Sequence, residues 1–136
     1  MNYFLAKTEP STYSIDDLEH DRHTAWDGVT NAQAVRAIRE MKPGDIVFIY
    51  HSGGVSSVVG MAAVKSPARD DPKNPKSAVV DLEFVGRVEP PVTLAEIKQS
   101  GKFSDWALVR QGRLSTMAVP EKFVAWMRSR YPKAKI

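Results

Sequence analysis

Ile46-Val47-Phe48-Ile49-Tyr50-His51 is β-branched or aromatic through its first five positions, with no alternation of apolar and polar side chains. Such a run is a strand buried on both faces, since a half-exposed strand would show a period of two. It is read as the central strand of the fold. On its N-terminal side Lys42-Pro43-Gly44-Asp45 forms a turn whose Pro and Gly suit a type II geometry. Before the turn, Thr30-Asn31-Ala32-Gln33 reads as a capping box opening a helix that buries Ala34, Val35, Ile38 and Met41 at three- and four-residue spacing. Further out, Ser14 caps a short helix with Asp16 and Asp17 in its first turn, and Tyr3-Phe4-Leu5-Ala6-Lys7 is a strand ended by Thr8-Glu9-Pro10.

On the C-terminal side, Ser57 to Val64 is a second strand in which Gly60 marks a bulge or a close backbone approach. Ser66 to Lys76 holds three prolines and many charges and is expected to be a solvated loop. Ala78 to Val88 alternates Val80, Leu82 and Phe84 with Asp81 and Glu83, which predicts a strand with one wet face. Thr93-Leu94-Ala95-Glu96 is a second capping box, with Leu94 and Ile97 as the apolar side of a short helix. Trp106-Ala107-Leu108-Val109 is a further apolar run. After Pro120 a terminal helix places Phe123, Met127 and Tyr131 on one stripe with Trp126 beside it. Strands interleaved with short helices, without regular βαβ spacing, predict a mixed α+β chain: a closed or nearly closed barrel of about five to six strands decorated by short helices.

Composition narrows the functions. At 136 residues, 43% hydrophobic and 26% charged, the chain is expected to fold as a single domain over 1–136. It has no cysteine, so disulfides, thiolate metal sites and a Cys nucleophile are excluded. No apolar run approaches the ~20 residues of a membrane span, and Met1-Asn2-Tyr3-Phe4 lacks a basic n-region; no membrane partner and a cytoplasmic location are expected, a nuclear one also fitting. The net charge of +3 is uneven: Met1 to Ala68 carries −2 and Arg69 to Ile136 carries +5, with Arg110, Arg113, Lys122, Arg128, Arg130, Lys133 and Lys135 in the last third. Placed on one face, those residues would attract a polyanion; on a solvated helix and tail they would do nothing specific.

Chemistry-bearing motifs are few. His20, His23 and His51 have no partner at metal-ligand spacing, and Gly53-Gly54 lacks the Lys-Ser/Thr of a phosphate loop. His51 beside Ser52 permits a hydrolase or processing enzyme acting on a small nucleotide-like ligand, but no Gly-x-Ser-x-Gly elbow supports it. Trp26-Asp27-Gly28-Val29-Thr30-Asn31 is more telling. An indole precedes a glycine turn that opens directly into a helix, bringing a π-face and helix-terminal amides into one stretch. Trp26 is then either a pocket wall or a plug in the barrel end, and Asn31 either a reader or a cap. Tyr50-His51-Ser52, leaving the central strand at a glycine turn, suits a pocket rim or a turn equally.

Five motifs in order, Tyr3 to Pro10, Trp26 to Ala34, Met41 to Asp45, Tyr50 to Ser52, and Leu108-Val109-Arg110 with Arg113 to Met117, together resemble the EVE domain family almost end to end. Both bacterial members and the eukaryotic thymocyte nuclear branch are similar. The resemblance implies a PUA-like β pseudobarrel and a reader module that binds nucleic acid, DNA or RNA, and accommodates a modified base such as a methylated or hydroxymethylated cytosine. It implies no enzyme activity and no cofactor or metal, and a monomer is expected. Its ligand site carries over onto Lys7, Trp26, Gly28, Val29, Asn31, Tyr50, His51, Ser52, Arg113, Ser115 and Met117. Arg110 and Arg113 flank that site and are expected to hold phosphates, because guanidinium forks match phosphate oxygens.

Overall fold

The computed structural model describes residues Met1 to Ile136. In chain order the elements are β1 (Tyr3–Thr8), α1 (Ile15–Asp21), β2 (His23–Trp26), α2 (Ala32–Glu40), β3 (Ile46–His51), β4 (Ser57–Val64), β5 (Arg69–Asp71), β6 (Asn74–Thr93), α3 (Leu94–Gln99), α4 (Ala107–Arg110), β7 (Thr116–Ala118) and α5 (Glu121–Arg130). The architecture is the expected mixed α+β pseudobarrel. Strand order is β2-β6-β4-β3-β1-β7, with β5 hydrogen-bonded to β6 outside that path. β3 lies between β4 and β1 with its first five residues buried, as its unbroken apolar run requires. β1 runs parallel to β3, pairing Tyr3 with Ile46 through to Thr8 with His51; the other pairings are antiparallel. The sheet does not close by hydrogen bonds. Instead α2 packs on β7, at one end of that order, and on β6, next to the other end. No helix is long and apolar enough to cross a membrane.

Seven strands are present where five to six were expected, and the difference lies in short ones. His23 to Trp26, whose sequence predicts no strand, forms β2 by pairing with Val80 to Glu83. The Ser66–Lys76 segment is not wholly a loop: β5 and the start of β6 make a hairpin in which Arg69 faces Val79 and Asp70 faces Ala78. β6 therefore runs 20 residues, well beyond the alternating Ala78–Val88 core. Long-range pairing creates these strands, and their own composition does not.

Local signals place the helices. Ser14 and Thr93 each form a capping box, with Asp17 and Glu96 reaching back to the cap amide. At α2 the cap is one residue later than the Thr30 box: Asn31 Oδ1 accepts from the Gln33 and Ala34 amides at 2.9 and 3.0 Å. One asparagine oxygen satisfies both amides, so no Thr30–Gln33 exchange is needed. α5 packs by the expected stripe. Phe123 lies 5.8 Å from Phe48, 5.2 Å from Phe103, 4.6 Å from Trp106 and 5.7 Å from Trp126, ring centre to ring centre. Gly60 is both a bulge and a close approach. The β3–β4 and β4–β6 registers shift beside it, and a Cβ there would sit 2.4 Å from Ile15 Cδ1. α1 thus lies directly on β4.

Candidate functional site

A cavity of about 620 Å³ opens where the end of β1, the turn after it, β2 and the loop into α2 converge with the segment before β7. That volume is within the roughly 300–1,000 Å³ usual for small-ligand sites. Seven of the expected residues line it: Lys7, Trp26, Gly28, Val29, Asn31, Arg113 and Ser115.

Trp26 ends β2 opposite Val80 and is only 9% exposed. It is a wall and a plug at once. Tyr13 meets it edge to face, with ring centres 6.3 Å apart and planes at 81°, and also lines the cavity. Burial raises the Tyr13 phenol above its ordinary value, helped by Asp21, whose carboxylate accepts from the hydroxyl at 3.0 Å. Two aromatic rings from different elements therefore shape one side. Gly28 has φ +77°, a left-handed turn that a Cβ would strain, and buried Ser77 donates its hydroxyl to the Val29 carbonyl, pinning the loop to β6. Because Asn31 Oδ1 is spent on the α2 amides, its Nδ2 donor is the part of that side chain left to meet a ligand.

Across the cavity, the Lys7 amide donates to the Ser115 carbonyl at 2.8 Å and Lys7 Nζ to the Gly112 carbonyl at 3.1 Å. These bonds fix the 112–115 segment to β1. Burial holds the Lys7 ammonium below its usual 10.5. Glu9 and Asp27 bring carboxylate acceptors to the same cavity, while Arg113 is exposed at its border.

The other expected residues lie elsewhere. Tyr50 is 2% exposed, with Lys7 Nζ 5.4 Å from its ring centre, so it supports the lysine from below. Ser52 turns back to β1, its amide and hydroxyl donating to the Thr8 carbonyl at 3.0 and 3.4 Å. Met117 is buried in β7 and belongs to a neighbouring cleft, and Arg110 ends α4 in solvent. His51 Nε2 accepts from the Ile15 amide at 3.0 Å, an α1 N-terminal donor with no helical partner, and lines a different concavity beside Asp16 and Arg87. That nitrogen is occupied by an amide proton and is directed to α1, not to Ser52, whose hydroxyl bonds the Thr8 carbonyl. The sequence assigns no site role to Tyr13 or Glu9, and it brings in Asp27 only within the Trp26–Asn31 stretch. Tyr13 carried one usable signal, an aromatic in a turn between Pro10 and the Ser14 cap.

His51 also gives a pH dependence. Its pKa is lowered from 6.5, first by burial and then by Arg87, against an opposing pull from Asp16. The unfolded chain therefore binds the proton more readily than the fold does, so stability is full above about 6.5 and falls as pH drops from there toward the depressed folded value. Denaturant unfolding at pH 7.5 and 5.5 is expected to show a loss in the wild type that is smaller in His51→Gln, which keeps an acceptor but cannot charge. Equal losses in both proteins would place the pH dependence elsewhere.

A family model for the EVE domain matches residues 2–130. Thymocyte nuclear protein 1 of Rattus norvegicus is 33% identical over 125 residues, covering 71% of this chain and 55% of that protein, so the chain spans little more than half the length of this curated relative. Among solved structures, a hypothetical protein from Leishmania major superposes with a TM-score of 0.86 at 31% identity over 98% of each chain. The human THYN1 protein in complex with 5-methylcytosine-containing DNA superposes with a TM-score of 0.87 at 25% identity, over 98% of this chain and 99% of that one.

Proposed function

The chain belongs to the EVE domain family, and from that premise we propose that it is a nucleic-acid reader that takes one modified base, a 5-methylated or 5-hydroxymethylated cytosine, into the Trp26 cavity. The observation that carries the reading is the order of chemistry in that cavity. Trp26 and Tyr13 supply aromatic walls, Asp27 and Glu9 supply acceptors, and Arg113 stands exposed at the border. A cytosine offers an exocyclic amino donor to a carboxylate and ring acceptors to the Asn31 amide, while its charge stays outside on the phosphate. Carboxylates beside the bound base also keep phosphate from entering. The human relative, solved with 5-methylcytosine-containing DNA, supports the same class of ligand.

On this reading Arg113 positions the strand without reading it. Arg113→Ala is expected to weaken modified and unmodified oligonucleotides together and to reduce the salt slope of binding by about 0.7 to 0.9, one phosphate contact. Fluorescence anisotropy across a series of KCl concentrations measures this. A wild-type slope in the variant would mean that Arg113 touches no phosphate.

A further inference from the structure

Six of the nine arginines are engaged within the fold. Arg39 pairs with Asp70 and Arg69 with Asp81, each at 2.9 Å. Arg87 holds Asp16 and Glu19, and Arg130 holds Glu96. Arg128 donates to the Tyr3 hydroxyl at 2.9 Å and to the Ile136 carbonyl at 3.2 Å, and Arg22 lies over the Phe84 ring. The basic C-terminal helix thus spends both of its arginines internally. Arg36, Arg110 and Arg113 remain, all exposed, with no acid, carbonyl or aromatic face to hold them.

These three share one region. Arg113 borders the Trp26 cavity. Arg36, on α2, lines a second concavity of about 400 Å³ between α2 and residues 107–118. Arg110 closes α4, whose first residue, Ala107, lines that same concavity. The two hollows adjoin along both walls: Asn31 lines the first and Gln33 the second, and Arg113 and Ser115 line the first where Leu114 and Thr116 line the second. The floor of the second is apolar, with Ala37, Ala107 and Met117.

We propose that the concavity between α2 and residues 107–118 is the subsite for the nucleotide next to the captured base, with Arg36 and Arg110 holding its phosphate. The inference rests on the base-capture reading and adds to it the course of the strand, which leaves the cavity over the first turn of α2 toward β7. An exposed guanidinium without a partner is ordinary on its own; one lining each of two adjoining hollows, with Arg110 a helical turn beyond Ala107 of the second, matches a polymer that carries one charge per nucleotide. The apolar floor takes a sugar or base edge. Glu40, one turn beyond Arg36 on α2, lines the same hollow and excludes a further phosphate on that side.

The test compares the wild type, Arg36→Ala and Arg39→Ala, the last removing the same charge from the same helix at an arginine already paired. Each is titrated with a single-stranded DNA 9-mer carrying one central 5-methylcytosine, with its unmodified match, and with 5-methyl-deoxycytidine monophosphate, which fills the first cavity alone. Arg36→Ala is expected to bind both 9-mers more weakly, with a salt slope lower by about 0.7, the preference kept and the mononucleotide affinity unchanged. Arg39→Ala is expected to keep the wild-type slope. A wild-type slope in Arg36→Ala, or an equal loss in Arg39→Ala, overturns the subsite. A wild type without preference contradicts base capture while leaving the slope comparison intact, and a wild type that binds neither 9-mer overturns both.

Discussion

Trp26→Ala is expected to erase the difference in affinity between a modified oligonucleotide and its unmodified match, and to weaken binding of both. Stacking on an aromatic side chain is worth roughly 1–3 kcal/mol per base and is indifferent to base identity. Discrimination therefore depends on the wall holding the base against Asn31, Asp27 and Val29, and without the wall that geometry is lost. Because Trp26 is 9% exposed and packs on Tyr13, the alanine variant also loses about 3–5 kcal/mol of stability. Trp26→Phe separates the two effects: it keeps a ring in the wall and is expected to keep the preference in reduced form. Titration of both variants, with near-UV circular dichroism to confirm folding, reads the result. A folded Trp26→Ala protein that still prefers the modified strand would remove the indole from the site.

Phe123→Ala is expected to destabilise the fold by about 3–5 kcal/mol in denaturant unfolding. Phe123 is fully buried and touches four other aromatic rings, so its removal leaves a hole that rings of fixed shape cannot refill. The loss reaches the site as well. Trp106, 4.6 Å from Phe123, donates its indole N–H to the Ala118 carbonyl at 3.0 Å, and α4 starts directly after it and leads to Arg110 and Arg113. Loosening the cluster frees that segment. A loss under 1 kcal/mol, roughly that of an ordinary surface change, would contradict this account of the core.

Elements that carry their own stabilisation were legible in the sequence. Ile46 to His51, the Phe123-Met127-Tyr131 stripe and the capping boxes at Ser14 and Thr93 each contain the pattern that forms them. β2, β5 and β7 do not, because three or four residues hold no period and their pairing is decided by distant β6 and β1. The site divides in the same way. Trp26 to Asn31 forms one wall because a single turn and cap arrange it, whereas Tyr13 and Glu9 arrive from another turn that only the tertiary fold brings near. Tyr50, His51 and Ser52 are neighbours in sequence, yet they part at the strand end: Tyr50 goes under Lys7, His51 to the α1 amide and Ser52 to Thr8.

On the proposed reading, the Trp26 cavity takes a single modified base. Titration of the wild-type chain with two oligonucleotides identical except for the 5-methyl group of one cytosine, at fixed salt, tests it most directly. Tighter binding of the methylated strand is predicted, with free 5-methyl-deoxycytidine monophosphate competing for the same site. Equal affinity for the two strands, at any salt concentration where both bind, would contradict it.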